Sequence, residues 1–289
     1  MDNEIDAVIV TFNPDYKVLN RCINSIDEDI NIIIVDNSSN LNINLVDSYN
    51  KKKIQIIKNN NTGNGDGINI GVDASKAKYI LYLDVDTKLP ENFLIKILNS
   101  AKKIKDFAIL SPMLENYKYL ERDFKNKNNQ ETEFAEMNFV QGAIMLLNRL
   151  NTFQKNIRFD KNIFLYWEEV DFFQQCFTKN QKIYLLKNIF AFHEGSKSIN
   201  KNLYNDIEYN RNWHYMWSKF YFYKKHFGKI TAYKKTLKHF FSAMIKIAIF
   251  FLIRDKRCKK YLERFNGLIN SYFGKPSFRR PKINEENIK

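Results

Sequence analysis

Short apolar runs separated by amphipathic stretches constrain this chain more than any other feature. Ala7–Phe12 (AVIVTF), Asn31–Val35 (NIIIV), Ile54–Lys58 (IQIIK) and Tyr79–Leu83 (YILYL) are β-rich, and Tyr16–Ile26 and Asp66–Ala77 between them have helical spacing. Continuous rather than alternating apolar runs, joined by helices, predict a mostly parallel sheet buried on both faces. In such sheets ligands sit beyond the carboxyl ends of the strands. Here those ends become polar: Asn13 after the first run, Asp36-Asn37 after the second, and Asp84-Val85-Asp86 after the fourth. Phe139–Leu147 resumes as a strand after a polar excursion over Glu115–Glu136, and Glu168–Thr178 reads as a helix that opens on acids. From Tyr204 onward the pattern is helical and aromatic-rich.

Charge divides the chain. Residues 1–200 hold 25 basic and 26 acidic side chains, a net of −1, and residues 201–289 hold 21 and 6, a net of +15. The basic excess of +14 therefore belongs to the last third and predicts a surface for an anionic partner. Cys22, Cys176 and Cys258 are too scattered for a metal or disulfide pattern and read as free thiols in a reducing cytoplasm. The acidic N-terminus, MDNEIDAVIVTF, is unlike a signal peptide, so the expectation is cytoplasmic.

Four groups of residues could carry chemistry. Asp84 and Asp86, two carboxylates at i and i+2 leaving a strand, can reach one divalent ion, Mn2+ or Mg2+, or its waters. The plainer reading is a solvated turn with a helix cap. Asn61–Gly71 (NTGNGDGINIG) packs four glycines into nine residues, which implies tight turns and close backbone approach, or simply a flexible loop. It is not a P-loop, since no Gly-Lys-Ser/Thr follows. In Tyr166-Trp167-Glu168-Glu169-Val170-Asp171 the acids could pair with a helix dipole, or one could deprotonate a hydroxyl. His193, in Phe-His-Glu-Gly-Ser, could be a ligand, although a lone histidine is more often a structural hydrogen-bonding residue.

In order and spacing these groups resemble the family-2 glycosyltransferases of GT-A fold, and most of all the rhamnosyltransferase-like branch of bacterial O-antigen and capsule synthesis. The matching segments are VIVTFNP, Val35-Asp36-Asn37-Ser38-Ser39, Asn61 through Gly71, LDVDTKLP, QGAIMLL, the run from Phe159-Asp160 to Asp171, and His193 before Gly-x-Ser. The resemblance spans roughly residues 5–200. It implies an inverting, metal-dependent transfer of a sugar from a nucleotide-diphosphate donor to a hydroxyl. It places Thr11, Asn13 and Asp36 at the nucleobase and ribose, with Asn61, Gly63 and Asn69 along the nucleotide-sugar. It gives Asp84 and Asp86 to the metal and diphosphate, His193 to the same ion, and Glu169 the place of the catalytic base. That place usually holds Asp; Glu is one methylene longer, and Asp171 and Glu168 remain rivals. Asp-Val-Asp stands where the branch often has Asn-Pro-Asp or Asp-Gln-Asp, so the donor is read as dTDP-rhamnose or a UDP-sugar.

On this reading residues 1–200 form the catalytic domain and 201–289 a helical, basic extension. Phe240–Ile253 (FFSAMIKIAIFFLI) is too short to span a bilayer and has lysines and arginines on both sides. It reads as an interfacial helix, or as one packed on the domain. A peripheral position on the inner face of the cell membrane, beside a polyprenyl-diphosphate-linked oligosaccharide acceptor, follows from the charge split. No nucleic-acid partner is expected. A nucleotidyltransferase, or a non-catalytic membrane- or nucleic-acid-binding module, stays as the alternative.

Overall fold

A computed structural model describes residues 4–38, 40–46, 52–125, 132–195 and 204–281. Ser39, Ser196 and most of the polar run after Lys125 lie outside the described residues. The chain divides into two compact units: residues 1–62, 66–159 and 172–199 form one, and residues 63–65, 160–171 and 200–289 the other.

The first unit is built on nine strands, among the described residues. Its elements run β1 (Ile5–Thr11), α1 (Tyr16–Asn24), β2 (Ile32–Asp36), β3 (Ile54–Lys58), α2 (Asn64–Ala74), β4 (Tyr79–Leu83), β5 (Thr87–Lys88), α3 (Phe93–Ile104) and β6 (Ile109–Leu114). They continue with β7 (Phe134–Glu136), β8 (Ile144–Asn148), α4 (Glu168–Thr178) and β9 (Ile183–His193). The sheet order is β3-β2-β1-β4-β8-β6-β9-β5, with β7 also on β9. β3, β2, β1 and β4 are parallel, as expected, although β3 is only partly buried, with Gln55 and Lys58 exposed. Beyond them the sheet is mixed: β8 runs antiparallel to β4 and β6, and β9 parallel to β6.

Alternate residues of each central strand enter two separate cores. Ile5, Ala7 and Ile9 of β1 pack with Leu19 and Ile23 of α1 and Phe93, Ile97 and Leu98 of α3. Val8 and Val10 pack on the other face with Ile68 and Val72 of α2 and Phe172, Phe173 and Cys176 of α4. The side-chain period of two makes this division unavoidable once both faces are covered. The polar excursion is not wholly irregular, since its end, Phe134–Glu136, forms β7. The strand read over Phe139–Leu147 begins later, at Ile144.

Gly67 and Gly71 lie one turn apart on the face of α2 that meets β1. A Cβ on Gly67 would stand 2.8 Å from Val10 Cγ1, and one on Gly71 would overlap Val8 Cγ1. These glycines thus set the helix-to-sheet distance; they do not loosen a loop. Gly71→Ala should lower stability by about 1–3 kcal/mol through overpacking, outweighing the better helix propensity of Ala. Urea unfolding of the two proteins measures it, and an unchanged midpoint would deny the close approach.

The second unit holds α5 (Tyr204–Leu252), broken at Gly228 (φ 82°, ψ 164°), and α6 (Arg257–Tyr272). Met216, Phe220, Ala232 and Leu268 make its small core. Gly267 lets α6 approach α5 closely, since a Cβ there would collide with the Trp213 carbonyl. Among the described residues, no helix is long and apolar enough to cross a membrane.

Candidate active site

The parallel register brings Thr11 and Asp36 side by side at the carboxyl ends of β1 and β2. Both are buried, and Thr11 Oγ1 donates to Asp36 Oδ1 at 3.4 Å. The Asp36 carboxylate also accepts from Ser38 N (3.0 Å), the Ser38 hydroxyl and Leu41 N (2.8 Å). Much of its bonding capacity therefore shapes the turn after β2, a use that the sequence reading, which put Asp36 directly on the nucleotide, does not contain. Asn13, at φ 45°, accepts from Asn40 Nδ2 at 3.3 Å. Its own Nδ2 is buried without a hydrogen-bond partner among the described residues. A buried donor of this kind costs on the order of 1–3 kcal/mol unless a ligand supplies an acceptor.

The glycine-rich segment is mostly helix. Asn61 (φ 48°) and Gly63 (φ 108°) turn the chain into α2, and a Cβ on Gly63 would lie 2.5 Å from the Phe164 carbonyl oxygen. Asn69, expected along the nucleotide-sugar, points at the backbone of Phe159. Its Nδ2 donates to Phe159 O (2.9 Å) and its Oδ1 accepts from Phe159 N (3.1 Å), a two-bond clamp that spends both ends of the amide.

Asp84, Asp86 and His193 meet. β5 pairs antiparallel with the end of β9, setting Thr87 opposite His193. One potential ligand atom from each of the three residues lies within 4.8 Å of the others. His193 Nε2 is 3.1 Å from Asp86 Oδ1 and 3.8 Å from Asp84 Oδ2. The Asp86 side chain is only 4% exposed and that of Asp84 36%, so the first is fixed and the second faces outward. Tyr82 OH donates to Asp84 Oδ1 at 2.5 Å, Thr87 Oγ1 donates to the Asp84 carbonyl at 2.7 Å, and Glu194 N donates to the Asp86 carbonyl at 3.0 Å. Arg21 holds Glu194 at 2.7 Å. Burial by itself would lower the pKa of His193, but its hydrogen bond to Asp86 and the charges of Asp84 and Asp86 outweigh that and raise it. Burial pushes the neighbouring Cys22 thiol up to about 12, so it stays protonated beside the carboxylates. The helix-cap reading of this turn fails, because α3 starts only at Phe93. Two carboxylates and an imidazole at these separations fit a divalent cation, with Mn2+ better suited than Mg2+ to a nitrogen donor.

The second set of acids belongs to the other unit. Tyr166 (φ 61°) and Trp167 (φ 72°) take left-handed backbone conformations just before α4, unusual for bulky side chains and typical of functional loops. Glu169 follows. Its side chain is half-buried, and its Oε2 has no hydrogen-bond partner among the described residues. Burial raises its pKa, although hydrogen bonds from its own backbone and from Glu168 oppose the rise. Asp171 is fully buried and paired with Lys225 Nζ (2.8 Å) and His226 Nε2 (2.7 Å). Lys225 also meets Asp160 at 2.8 Å, and Tyr221 OH donates to the same carboxylate at 3.0 Å. Lys225 and His226 carry no motif that the sequence reading could use; only their place on α5 brings them to Asp171.

A sequence profile described as glycosyl transferase family 2 matches residues 6–207, well over half of the chain. The chain belongs to that family. Family membership makes it a transferase and displaces the nucleotidyltransferase and the non-catalytic module. No curated protein matches the chain. Among solved structures it is similar to Staphylococcus aureus TarS 1–349, at 13% identity and a TM-score of 0.56, covering 93% of this chain and 81% of that one. The same protein in complex with UDP-GlcNAc aligns at 12% identity and a TM-score of 0.56, covering 94% and 92%. Its complex with UDP gives 12% and 0.55, covering 98% and 94%. At such identity the likeness concerns the fold alone.

Proposed function

We propose that the protein is an inverting glycosyltransferase that moves a sugar from a nucleotide-diphosphate donor, a UDP- or dTDP-sugar, to a hydroxyl of a lipid-linked saccharide in surface-polysaccharide synthesis. The observation that carries this is the Asp84, Asp86 and His193 cluster at the end of β4. These residues would hold Mn2+ or Mg2+, which when bound offsets the charge of the departing diphosphate. Thr11 and the turn organised by Asp36 form the floor for the base and ribose, and Asn13 Nδ2 is the donor free to read the nucleotide. Asn61 and Gly63 shape the turn along the donor, and Asn69 serves it by holding Phe159. Glu169 accepts the proton of the acceptor hydroxyl as its oxygen bonds to the anomeric carbon. The bond from that carbon to the diphosphate oxygen breaks, its electron pair leaves with the nucleotide diphosphate, and configuration inverts. Asp171, paired with Lys225 and His226, is the less available base and braces the start of α4. The residues present would serve dTDP-rhamnose, as in the rhamnosyltransferase-like branch, as readily as a UDP-sugar. Slow hydrolysis of UDP- and dTDP-sugars, followed with Mn2+, with Mg2+ and in chelator, tests this; hydrolysis unaffected by chelator would remove the metal from the mechanism.

A peripheral position on the inner leaflet is part of the same proposal. Beyond Gly228, Leu237, Phe241, Ile245, Ile249 and Leu252 recur at helical spacing and are 46–80% exposed. Lysines and arginines flank this stripe, and each basic residue near an anionic surface adds about 1 kcal/mol. Since the later part of α5 also carries Ala232 of the small core, substitution is a cleaner test than truncation. Phe241→Ser with Ile245→Ser and Ile249→Ser should release the protein from phosphatidylglycerol vesicles in flotation while donor hydrolysis is kept. Equal flotation of both proteins would mean that the stripe does not meet lipid.

A further inference from the structure

The helical unit contains a cavity that the transfer chemistry does not use. Its volume is about 410 Å3, and Lys161, Lys224, Lys275 and Arg280 stand around it with Trp217 and Tyr221. That size suits a small ligand or the head of a larger one. The four cations have no salt-bridge partner among the described residues. The nearest acid by sequence, Asp160, is already engaged by Lys225, Tyr221 and Asn162. The three lysines are exposed at the rim, whereas Trp217 is 3% exposed.

The aromatic wall is preformed. Trp213, Trp217 and Tyr221 lie one helical turn apart on α5 and stack in sequence, at 6.4 Å and 11° and then at 5.0 Å and 14°. The segment after α6 that brings Lys275 and Arg280 is tied to α5. Trp217 Nε1 donates to the Lys275 carbonyl at 3.0 Å, and the ring of His214 bonds to the Arg279 carbonyl at 2.9 Å through Nε2 and to the Ser277 hydroxyl at 3.1 Å through Nδ1. Burial lowers the pKa of His214 to about 3, so this tie holds with a neutral ring. Arg280 is oriented as well: its guanidinium carbon lies 3.8 Å over the Phe164 ring, and its Nη1 donates to the Ser277 and Arg279 carbonyls at 2.7 and 2.8 Å.

Cations gathered around one cavity without an acidic partner among the described residues are the chemistry that recognises a phosphate group. The cations meet the anionic oxygens, and the stacked aromatic side chains give them a rigid apolar wall, with Trp217 held between Trp213 and Tyr221. We propose that this cavity binds the phosphate or diphosphate group of a glycosyl phosphate. As a match to the acceptor, the assignment rests on the proposed transfer reaction; as an anion site, it stands without it.

The test is calorimetric titration of the full chain with glucose 1-phosphate in chelator, with glucose as the control for the phosphate. Comparison proteins are Lys161→Ala/Lys224→Ala/Lys275→Ala and Asp86→Asn, and phosphatidylglycerol vesicles form a separate arm. Three rim lysines can be removed without opening the core, so the fold is retained. The expected result is binding of glucose 1-phosphate but not glucose, weakened about tenfold or more by the triple substitution and by 1 M salt, and unchanged in Asp86→Asn. Equal affinity of the triple variant and the parent would overturn the proposal, as would loss of binding in Asp86→Asn. Vesicle binding that falls in the triple variant while glucose 1-phosphate binding does not would assign the lysines to lipid, and the proposal would again fail. Metal-dependent donor hydrolysis, measured on the same samples, separates the two readings. Its absence in the parent counts against the transfer reaction, and its presence with no glucose 1-phosphate binding counts against the cavity alone.

Discussion

Asp86→Asn is expected to reduce sugar transfer on the order of 10³-fold or more, the scale of several kcal/mol that a metal contributes to a leaving diphosphate. The side chain is almost wholly buried and 3.1 Å from His193, so loss of its charge cannot be made good by rotation or by water. Asp84 is more exposed and could act through a bound water, so Asp84→Asn should cost less. The fold should survive, because the turn is held by groups other than the Asp86 carboxylate. Thr87 Oγ1 donates to the Asp84 carbonyl, and the Asp86 backbone carbonyl accepts from Glu194 N. Circular dichroism with transfer assays at rising Mn2+ checks this. Activity equal to the parent's in chelator would detach Asp86 from catalysis.

Glu169→Gln is the second large effect. Loss of a general base should lower turnover by about 10²–10⁴-fold and leave donor affinity unchanged. The raised pKa of Glu169 supplies the sign of the pH dependence. A base works when deprotonated, so turnover should rise with pH through the raised value, and its acidic limb should lie above the ordinary glutamate range near ~4.3. Stability runs the other way. A carboxyl whose pKa is raised in the folded state contributes stability below its unfolded pKa and loses it as pH rises through the folded one. A glutamine side chain at this position mimics the neutral acid at every pH. The variant should therefore be no more stable than the parent near pH 4 and more stable at pH 8. Single-turnover rates and melting curves across that range read both signs. Collapse of donor binding with turnover of bound donor intact would make Glu169 structural and turn attention to Asp171.

The parallel core was legible because β1, β2 and β4 are buried along their whole length and therefore read as apolar runs, whereas β3, only partly buried with Gln55 and Lys58 exposed, was legible from its isoleucines alone. α4 was legible for a different reason, the acids Glu168, Glu169 and Asp171 clustered at its positive end. α3 could have been read from Phe93, Leu94, Ile97, Leu98 and Ala101, which recur at helical spacing on its buried face. β9 was harder: its pairing with β6 shifts register between Pro112 and Met113, and its burial does not alternate cleanly. The family resemblance gave His193 to the same ion as Asp84 and Asp86, but their meeting depends on the antiparallel β5–β9 ladder, a long-range pairing with no local signature in the residues themselves. The same holds for Asn69, whose clamp on Phe159 looks in sequence like any polar residue of a glycine-rich motif, and for His226 and Lys225 against Asp171. Residue types at a site were thus readable where the chain itself carries the spacing, and their partners were not where only tertiary folding supplies it.

The central claim is that a divalent cation and a nucleotide-diphosphate sugar bind this chain together through Asp84, Asp86 and His193. The most direct measurement is the melting temperature of the parent and of Asp86→Asn with UDP-, dTDP- and GDP-sugars, each with Mn2+ and in chelator. At about 100 times the dissociation constant a ligand adds about 2.7 kcal/mol, enough for a shift of about 4–8 °C in a chain of this size. The expected result is such a shift with at least one donor, present with Mn2+, absent in chelator and absent in Asp86→Asn. A donor shift of equal size in chelator, or an undiminished one in Asp86→Asn, would contradict it.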